Sequence, residues 1–143
     1  MIGQMKESAF WQQTKAGLDG PDVHLSRIEN TAGTGISDVN MCCNGVEIFI
    51  ELKMFHGTKL HFRMSQRSWI VRHLNCGGRV FVMARMGDVL YLYNAQVCMD
   101  AEHTPHADRK SFTVDIKALP PPLYVCKKPF KWREVREKLL GLS

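Results

Sequence analysis

Two acids and a lysine carry the clearest chemical signal in this chain: Asp38, and Glu51 with Lys53 in the run Ile50-Glu51-Leu52-Lys53. Between them lies Asn44-Gly45, with alternating apolar residues on either side. Asn-Gly in that setting marks a two-residue hairpin loop, because both central positions take positive φ. Such a loop pairs Cys43 with Val46, Met41 with Ile48 and Val39 with Ile50, and Asp38 then falls opposite Glu51. Side chains alternate along a strand, so Val46, Ile48, Ile50 and Leu52 share a buried face while Glu51 and Lys53 share the other. Directly opposed carboxylates stand about 4.5–5.5 Å apart at Cβ and destabilise each other. A positive group between them removes that cost, and a divalent metal is the natural candidate. The plainer alternative is a surface hairpin carrying an exposed ion pair.

The elements that must position these residues follow from pattern and punctuation. An amphipathic helix is expected over Lys6–Leu18, anchored by Phe10, Trp11 and Leu18 and stopped by Asp19-Gly20-Pro21. His24–Ile28 reads as a short strand, and Thr31-Ala32-Gly33-Thr34-Gly35 as a flexible loop entering the hairpin. The hairpin arms are Ile36–Cys43 and Val46–Met54, and Phe55–Met64 reads as a connection rich in Lys, His and Arg. Ser65 suits the N-cap of a helix over Gln66–Asn75, which Gly77-Gly78 ends. Arg79–Arg85 and Val89–Tyr93 are β-rich runs joined by the turn Met86-Gly87-Asp88. Residues 94–111 show no clear period. A short strand over Phe112–Ile116 precedes a breaker at Pro120-Pro121-Pro122, and Phe130–Leu140 closes the chain as a helix with Trp132, Val135, Leu139 and Leu140 near one face. A strand–helix–strand unit after a hairpin indicates an α/β chain, with a mixed sheet and flanking helices.

At 143 residues, with no repeat and no dividing linker, the chain fits one domain spanning 1–143. Its 45% hydrophobic and 23% charged residues match a soluble globular protein and exclude a disordered or fibrous one. No apolar run approaches the ~20 residues that span a bilayer, and Met1–Ser8 lacks the apolar core of a signal peptide, so no membrane partner is expected. Five cysteines without a Cys-x-x-Cys pair suit a reducing cytoplasm rather than a disulfide framework. Cys98, His103 and His106 suggest zinc, but no fourth ligand accompanies them. The net charge of +5 is unevenly spread: Leu52–Gly87 holds seven basic residues and no acidic one. Such a stretch fits a polyanion partner, or else a merely solvated basic face.

Gly35-Ile36-Ser37-Asp38 followed by Ile50-Glu51-Leu52-Lys53 resembles the PD-(D/E)xK nuclease superfamily, and most closely its small VRR-NUC and Holliday-junction-resolvase-like members, including those encoded by phages. Ser37 stands where the family has proline, a backbone-shaping residue without a chemical role. Gln66 and Trp69 look like the Gln-x-x-Trp of that subgroup, and Gly77-Gly78-Arg79-Val80-Phe81-Val82 like the strand after it. The resemblance covers about residues 6–93. It implies a restriction-endonuclease-like α-β-β-β-α-β core and a metal-dependent endonuclease acting on DNA, duplex or branched, often as a homodimer. The implied cofactor is Mg2+ or Mn2+, held by Asp38, Glu51, the Leu52 carbonyl and, on the first helix, Glu7. Lys53 would orient or activate the attacking water or stabilise the transition state, with Gln66 hydrogen-bonding the water or Lys53. Arg27, Thr34, Lys59, Arg63, Arg67 and Arg72 are the expected DNA contacts. The expected setting is the cytoplasm of a bacterial or phage-infected host cell. A nicking or flap nuclease, and a non-catalytic nucleic-acid-binding protein of the same fold, are the alternatives.

Overall fold

The computed structural model describes residues 7–28 and 35–141. Asn44 and Gly45 take φ of 53° and 77°, as the hairpin loop requires, and β2 (Val39–Cys43) pairs with β3 (Val46–Met54) in the expected register. β1 (Val23–Arg27) extends this antiparallel meander on the far side of β2. Beyond β3 the chain makes β4 (Lys59–Arg63) and α2 (Met64–Asn75), then returns as β5 (Val80–Met86), parallel to β3. β6 (Val89–Asn94) and β9 (Tyr124–Lys127) complete a six-stranded mixed sheet in the order β1-β2-β3-β5-β6-β9. With α1 (Glu7–Leu18) ahead of β1, this is the α-β-β-β-α-β core expected from the sequence, with β4 added.

Each face of the sheet buries its own apolar cluster. Ile48, Ile50 and Leu52 of β3 pack with Phe10, Trp11 and Leu18 of α1 and with Val135 and Leu139 of α4 (Trp132–Leu139). Val80, Val82 and Ala84 of β5 pack on the opposite side with Ile70 of α2 and with Cys98 and Met99 of α3 (Ala95–Asp100). β3 is therefore covered on both sides, which explains how Glu51 comes to be only 1% exposed. Close helix approach depends on Gly17 of α1, where a Cβ would lie 2.2 Å from the Trp132 ring of α4.

Several expectations need correction. Phe55–Met64 is more than a connection: β4 lies within it and pairs with β8 (Ser111–Asp115), which pairs with β7 (Thr104–Pro105) in a separate three-stranded sheet. Lys59-Leu60-His61-Phe62-Arg63 alternates as a half-buried strand should, and Leu60, Phe62, Phe112 and Val114 drive their faces into the second cluster. The helix after it starts at Met64, with Arg63 at the N-cap instead of Ser65. Its first donors find other acceptors: the Arg63 N–H donates to Gln66 Oε1 at 2.8 Å and the Met64 N–H to the Lys110 carbonyl at 2.8 Å. An arginine side chain cannot accept in return, so only half of a reciprocal capping box forms. Residues 94–111 contain α3, capped by the Asn94 side chain, and β7, while β9 follows the triple proline. No helix among the described residues is long and apolar enough to cross a membrane.

Candidate active site

The hairpin ladder ends at Val39–Ile50, and Asp38 lies one residue beyond it. Its carboxylate takes over where the ladder stops: Oδ2 accepts from the Leu52 N–H at 2.8 Å, while its carbonyl accepts from the Ile28 N–H at 2.7 Å. Asp38 is thus fastened to β3 beside Glu51 by a charge-assisted bond to backbone. The loop bringing it there depends on Gly35, at φ 78°, where a Cβ would fall 1.9 Å from the Ser65 carbonyl oxygen. That contact sets the Asp38 loop directly on the first turn of α2.

α2 answers with Gln66, a buried residue that touches three others. Its Oε1 accepts from Lys53 Nζ at 3.0 Å and from the Arg63 N–H, and its Nε2 donates to Glu51 Oε2 at 2.7 Å. The amide orientation is unambiguous, since reversing it would set two donors against an NH2 group. Lys53 Nζ also lies 3.4 Å from Glu51 Oε2 and 4.7 Å from the centroid of the Phe62 ring, a cation–π contact. Phe62 in turn stacks on Phe112, with centroids 5.5 Å apart. The second sheet therefore braces the lysine from below.

Glu51 Oε1 is buried with no hydrogen-bond partner among the described residues. Burial is the largest influence on this carboxyl and pushes its pKa up to about 8; Lys53 opposes the rise and Asp38 adds to it. The penalty on Glu51 thus comes first from lost water and only then from its acidic neighbour, which corrects the expectation of a cost dominated by opposed charges. Glu7 is exposed at the start of α1, yet desolvation and then Asp38 raise its pKa, against the lowering influence of Lys53, Arg27 and Arg63. Among the described residues no three His, Cys, Asp or Glu side chains gather closely enough to cage an ion unaided. Any cation at Asp38 and Glu51 would need backbone and water oxygens as well.

A cleft of about 1060 Å3 opens over this cluster, and Glu7, Asp38, Leu52, Lys53 and Gln66 line it. Glu51 lies behind that wall. Neither a family model nor a curated relative matches the chain. Among solved structures it matches Hjc, a Holliday junction resolvase from the archaeal hyperthermophile Archaeoglobus fulgidus, with a TM-score of 0.63 over 97% of this chain and 98% of that one. The two proteins share one fold. It is the restriction-endonuclease-like arrangement, a central mixed sheet flanked by helices. Sequence identity between them is 16%, so the likeness to the resolvase rests on architecture.

The expected DNA contacts separate on this fold. Arg63 lines the cleft, and exposed Arg27 is near enough to act on Glu7. Lys59 is paired with Asp115 at 3.1 Å, and Arg72 lines a different depression on α2 with Trp69 and His73. Arg67 is half-buried on α2, and Thr34 lies outside the described residues. The acid-free stretch is therefore no single basic surface. Arg79 donates to the Leu139 carbonyl, and Arg85 is buried. Trp69 is half-buried against the second cluster, stacked 4.7 Å from His73 and edge-on to Phe49. The zinc alternative finds no support: Cys98 is buried in the second cluster, and both His106 nitrogens face hydroxyls.

Phe62 and Arg85 escaped the sequence pattern, which marked His106 only as a zinc candidate. Phe62 holds Lys53, and His61 and His106 line the wall made by the second sheet. Arg85, on β5, also lines the cleft. Its Nε donates to the Gly87 carbonyl, Nη1 bonds Gln13 Oε1, and its guanidinium lies 4.9 Å from the Phe130 centroid. Strand alternation in Lys59–Arg63 was the available signal for Phe62 and His61. No local pattern marks Arg85, which sits in a strand buried along nearly its whole length.

Proposed function

We propose that the protein is a divalent-metal-dependent nuclease that hydrolyses DNA phosphodiester bonds at Asp38, Glu51 and Lys53. The observation that carries this is Glu51, a buried carboxylate with one oxygen satisfied by Gln66 and the other without a donor among the described residues. A buried charge in that condition is costly unless a cation completes it. Asp38, Glu51 and the Leu52 carbonyl offer the hard oxygen donors that Mg2+ or Mn2+ prefers, and Glu7 faces the same cleft. When bound, such an ion lowers the pKa of a water and stabilises charge on the scissile phosphate.

The chain's own groups do the positioning. Lys53 has three N–H donors, and Gln66 and Glu51 engage two of them, which leaves one for the attacking water or a phosphate oxygen. Because Gln66 and Phe62 hold the ammonium before substrate arrives, it needs no reorganisation to stabilise developing negative charge. Arg63 supplies positive charge along the cleft and Arg27 beside Glu7, with Lys59, Arg67, Arg72 and Thr34 as further contacts on an extended substrate.

The likeness to a Holliday junction resolvase favours branched DNA as substrate and a homodimer as the acting species, because two cuts need two sites. Gln66 with Trp69 favours the VRR-NUC-like branch of the superfamily, and the whole chain is taken as one nuclease domain. Five free thiols agree with action in the cytoplasm. The deciding assay incubates four-way junction, flap, linear duplex and single-stranded DNA with Mg2+ or EDTA. Cleavage should need metal, favour the junction, and vanish in Asp38→Ala, Glu51→Ala and Lys53→Ala. Undiminished cutting by all three variants would sink the assignment. Binding without cleavage of any substrate would point to a non-catalytic protein of this fold.

A further inference from the structure

The second sheet presents a polar face to the cleft that the catalytic groups do not use. In the β4–β8 register Lys59 faces Asp115, His61 faces Thr113 and Arg63 faces Ser111, so these six side chains share one side of the sheet. The Lys59–Asp115 ion pair closes one end of this face. At the other end Arg63 is exposed and forms no ion pair among the described residues.

Between the ends runs a chain of short contacts. His106 places Nδ1 2.6 Å from Ser111 Oγ and Nε2 2.6 Å from Thr113 Oγ1, and Thr113 Oγ1 lies 3.1 Å from His61 Nδ1. The two imidazole rings are 5.5 Å apart. Hydroxyls both donate and accept, so the network accommodates either tautomer of each histidine. With Nδ1 engaged, Nε2 is the nitrogen that His61 can offer to a ligand. Asp108 Oδ1 lies 3.4 Å from Ser111 Oγ and accepts from the Lys110 N–H at 2.9 Å, while Asp115, on the face itself, is paired with Lys59. His61, Arg63, His106 and Ser111 line the same cleft as Asp38 and Lys53. The connection to Lys53 is close, because Phe62, whose ring carries the ammonium, sits between His61 and Arg63 in β4.

We propose that this face is a phosphate-backbone site for a DNA strand passing through the cleft, with Arg63 and His61 contacting phosphates. Thr113 and His106 are positioning residues: the hydroxyl network fixes the His61 ring before the strand arrives. His106 thus serves strand placement and not zinc, and Thr104–Asp115 gains a purpose in the molecule. The inference rests on the nuclease reading and adds to it the path of the substrate.

The test is binding to fluorescein-labelled four-way junction and single-stranded DNA, followed by anisotropy with Ca2+ replacing Mg2+ and again in EDTA. Arg63→Gln and His61→Ala should each weaken binding about three- to tenfold, and Arg63→Gln should lower the salt slope by about one. Thr113→Val should weaken binding in the native background and add nothing once His61 is alanine, because it acts through that ring. Unchanged affinity in both Arg63→Gln and His61→Ala, with junction cleavage by the native protein intact, overturns the inference and leaves the nuclease reading standing. A native protein that neither binds nor cuts DNA removes both. The imidazole NMR signals of His61 and His106 give a readout without substitution. Both should shift on titration with the single strand, and stationary signals would overturn the site.

Discussion

Gln66 links a carboxylate, an ammonium and a helix N-terminus through one amide, so its loss should be felt in chemistry before it is felt in binding. Gln66→Leu leaves Glu51 Oε2 and the Arg63 N–H without their partner in a buried place. We expect a stability loss of about 1–3 kcal/mol by thermal unfolding. Under single turnover, cleavage should slow more than about tenfold with the Kd for DNA little changed. An equal fall in affinity and rate would mean that Gln66 merely shapes the cleft. Glu51→Gln makes the opposite trade. It should reduce cleavage about a hundredfold or more, yet raise the stability of the metal-free protein near neutral pH, because a neutral amide is spared the cost of taking up the proton that the buried carboxyl needs on folding. Cleavage at the native rate would remove Glu51 from the site. The residue types at these positions were legible in the sequence, since hairpin register alone set Asp38 beside Glu51. Their environment was not. Burial of Glu51, its leading electrostatic influence, depends on α2 covering the second face of β3, which no local pattern reveals.

At the scale of elements, legibility followed sequence distance. The Asn44-Gly45 hairpin brings neighbours together and could be registered residue by residue. β4 could not, because its partner β8 lies far along the chain and both strands are short. A five-residue basic alternation with no visible partner reads as a connection. The same distance hid β9, whose shape is dictated by the sheet it completes. Contacts between elements at glycine make the strongest tests here. Gly35→Ala forces a β-carbon into positive φ and against the Ser65 carbonyl, and should cost about 2–4 kcal/mol. Because Gly35 seats the Asp38 loop on the α2 turn that carries Gln66, cleavage should fall as well, even at temperatures where the variant stays folded. Gly17→Ala isolates packing from chemistry. Helix propensity favours alanine by up to about 1 kcal/mol, but the Trp132 ring occupies the space, so a net loss of about 1–3 kcal/mol is expected with cleavage unaffected. Trp132→Leu should reverse the sign of that single change. Stabilisation by Gly17→Ala in the native background would show that α1 and α4 pack more loosely than described.

On the scale of the whole molecule, the layers converge on one unbalanced charge, and that makes fold stability a reporter of the site. Glu51 has a folded pKa raised from the ordinary 4.5 to about 8, and Glu7 is shifted in the same direction. Below about pH 4.5 the folded and unfolded chains both hold the Glu51 proton, and the group makes no difference. Between there and about pH 8 the folded chain keeps a proton that the unfolded chain releases, so stability must fall as pH rises, and then level off. A cation bound by Glu51 competes with that proton, so stabilisation by Mg2+ should grow over the same interval. Scanning calorimetry from about pH 5 to about pH 8 should therefore show Tm falling by several degrees in EDTA, with a Mg2+ increment that widens toward the alkaline end. Glu51→Gln should flatten both trends, whereas Lys53→Met, which removes the opposing positive charge, should carry the decline in EDTA past the pH at which the native protein levels off. A native Tm that held level in EDTA while Glu51→Gln matched it would mean that the carboxylate is comfortable as an anion without metal, and the case for a cation at Asp38 and Glu51 would fail with it.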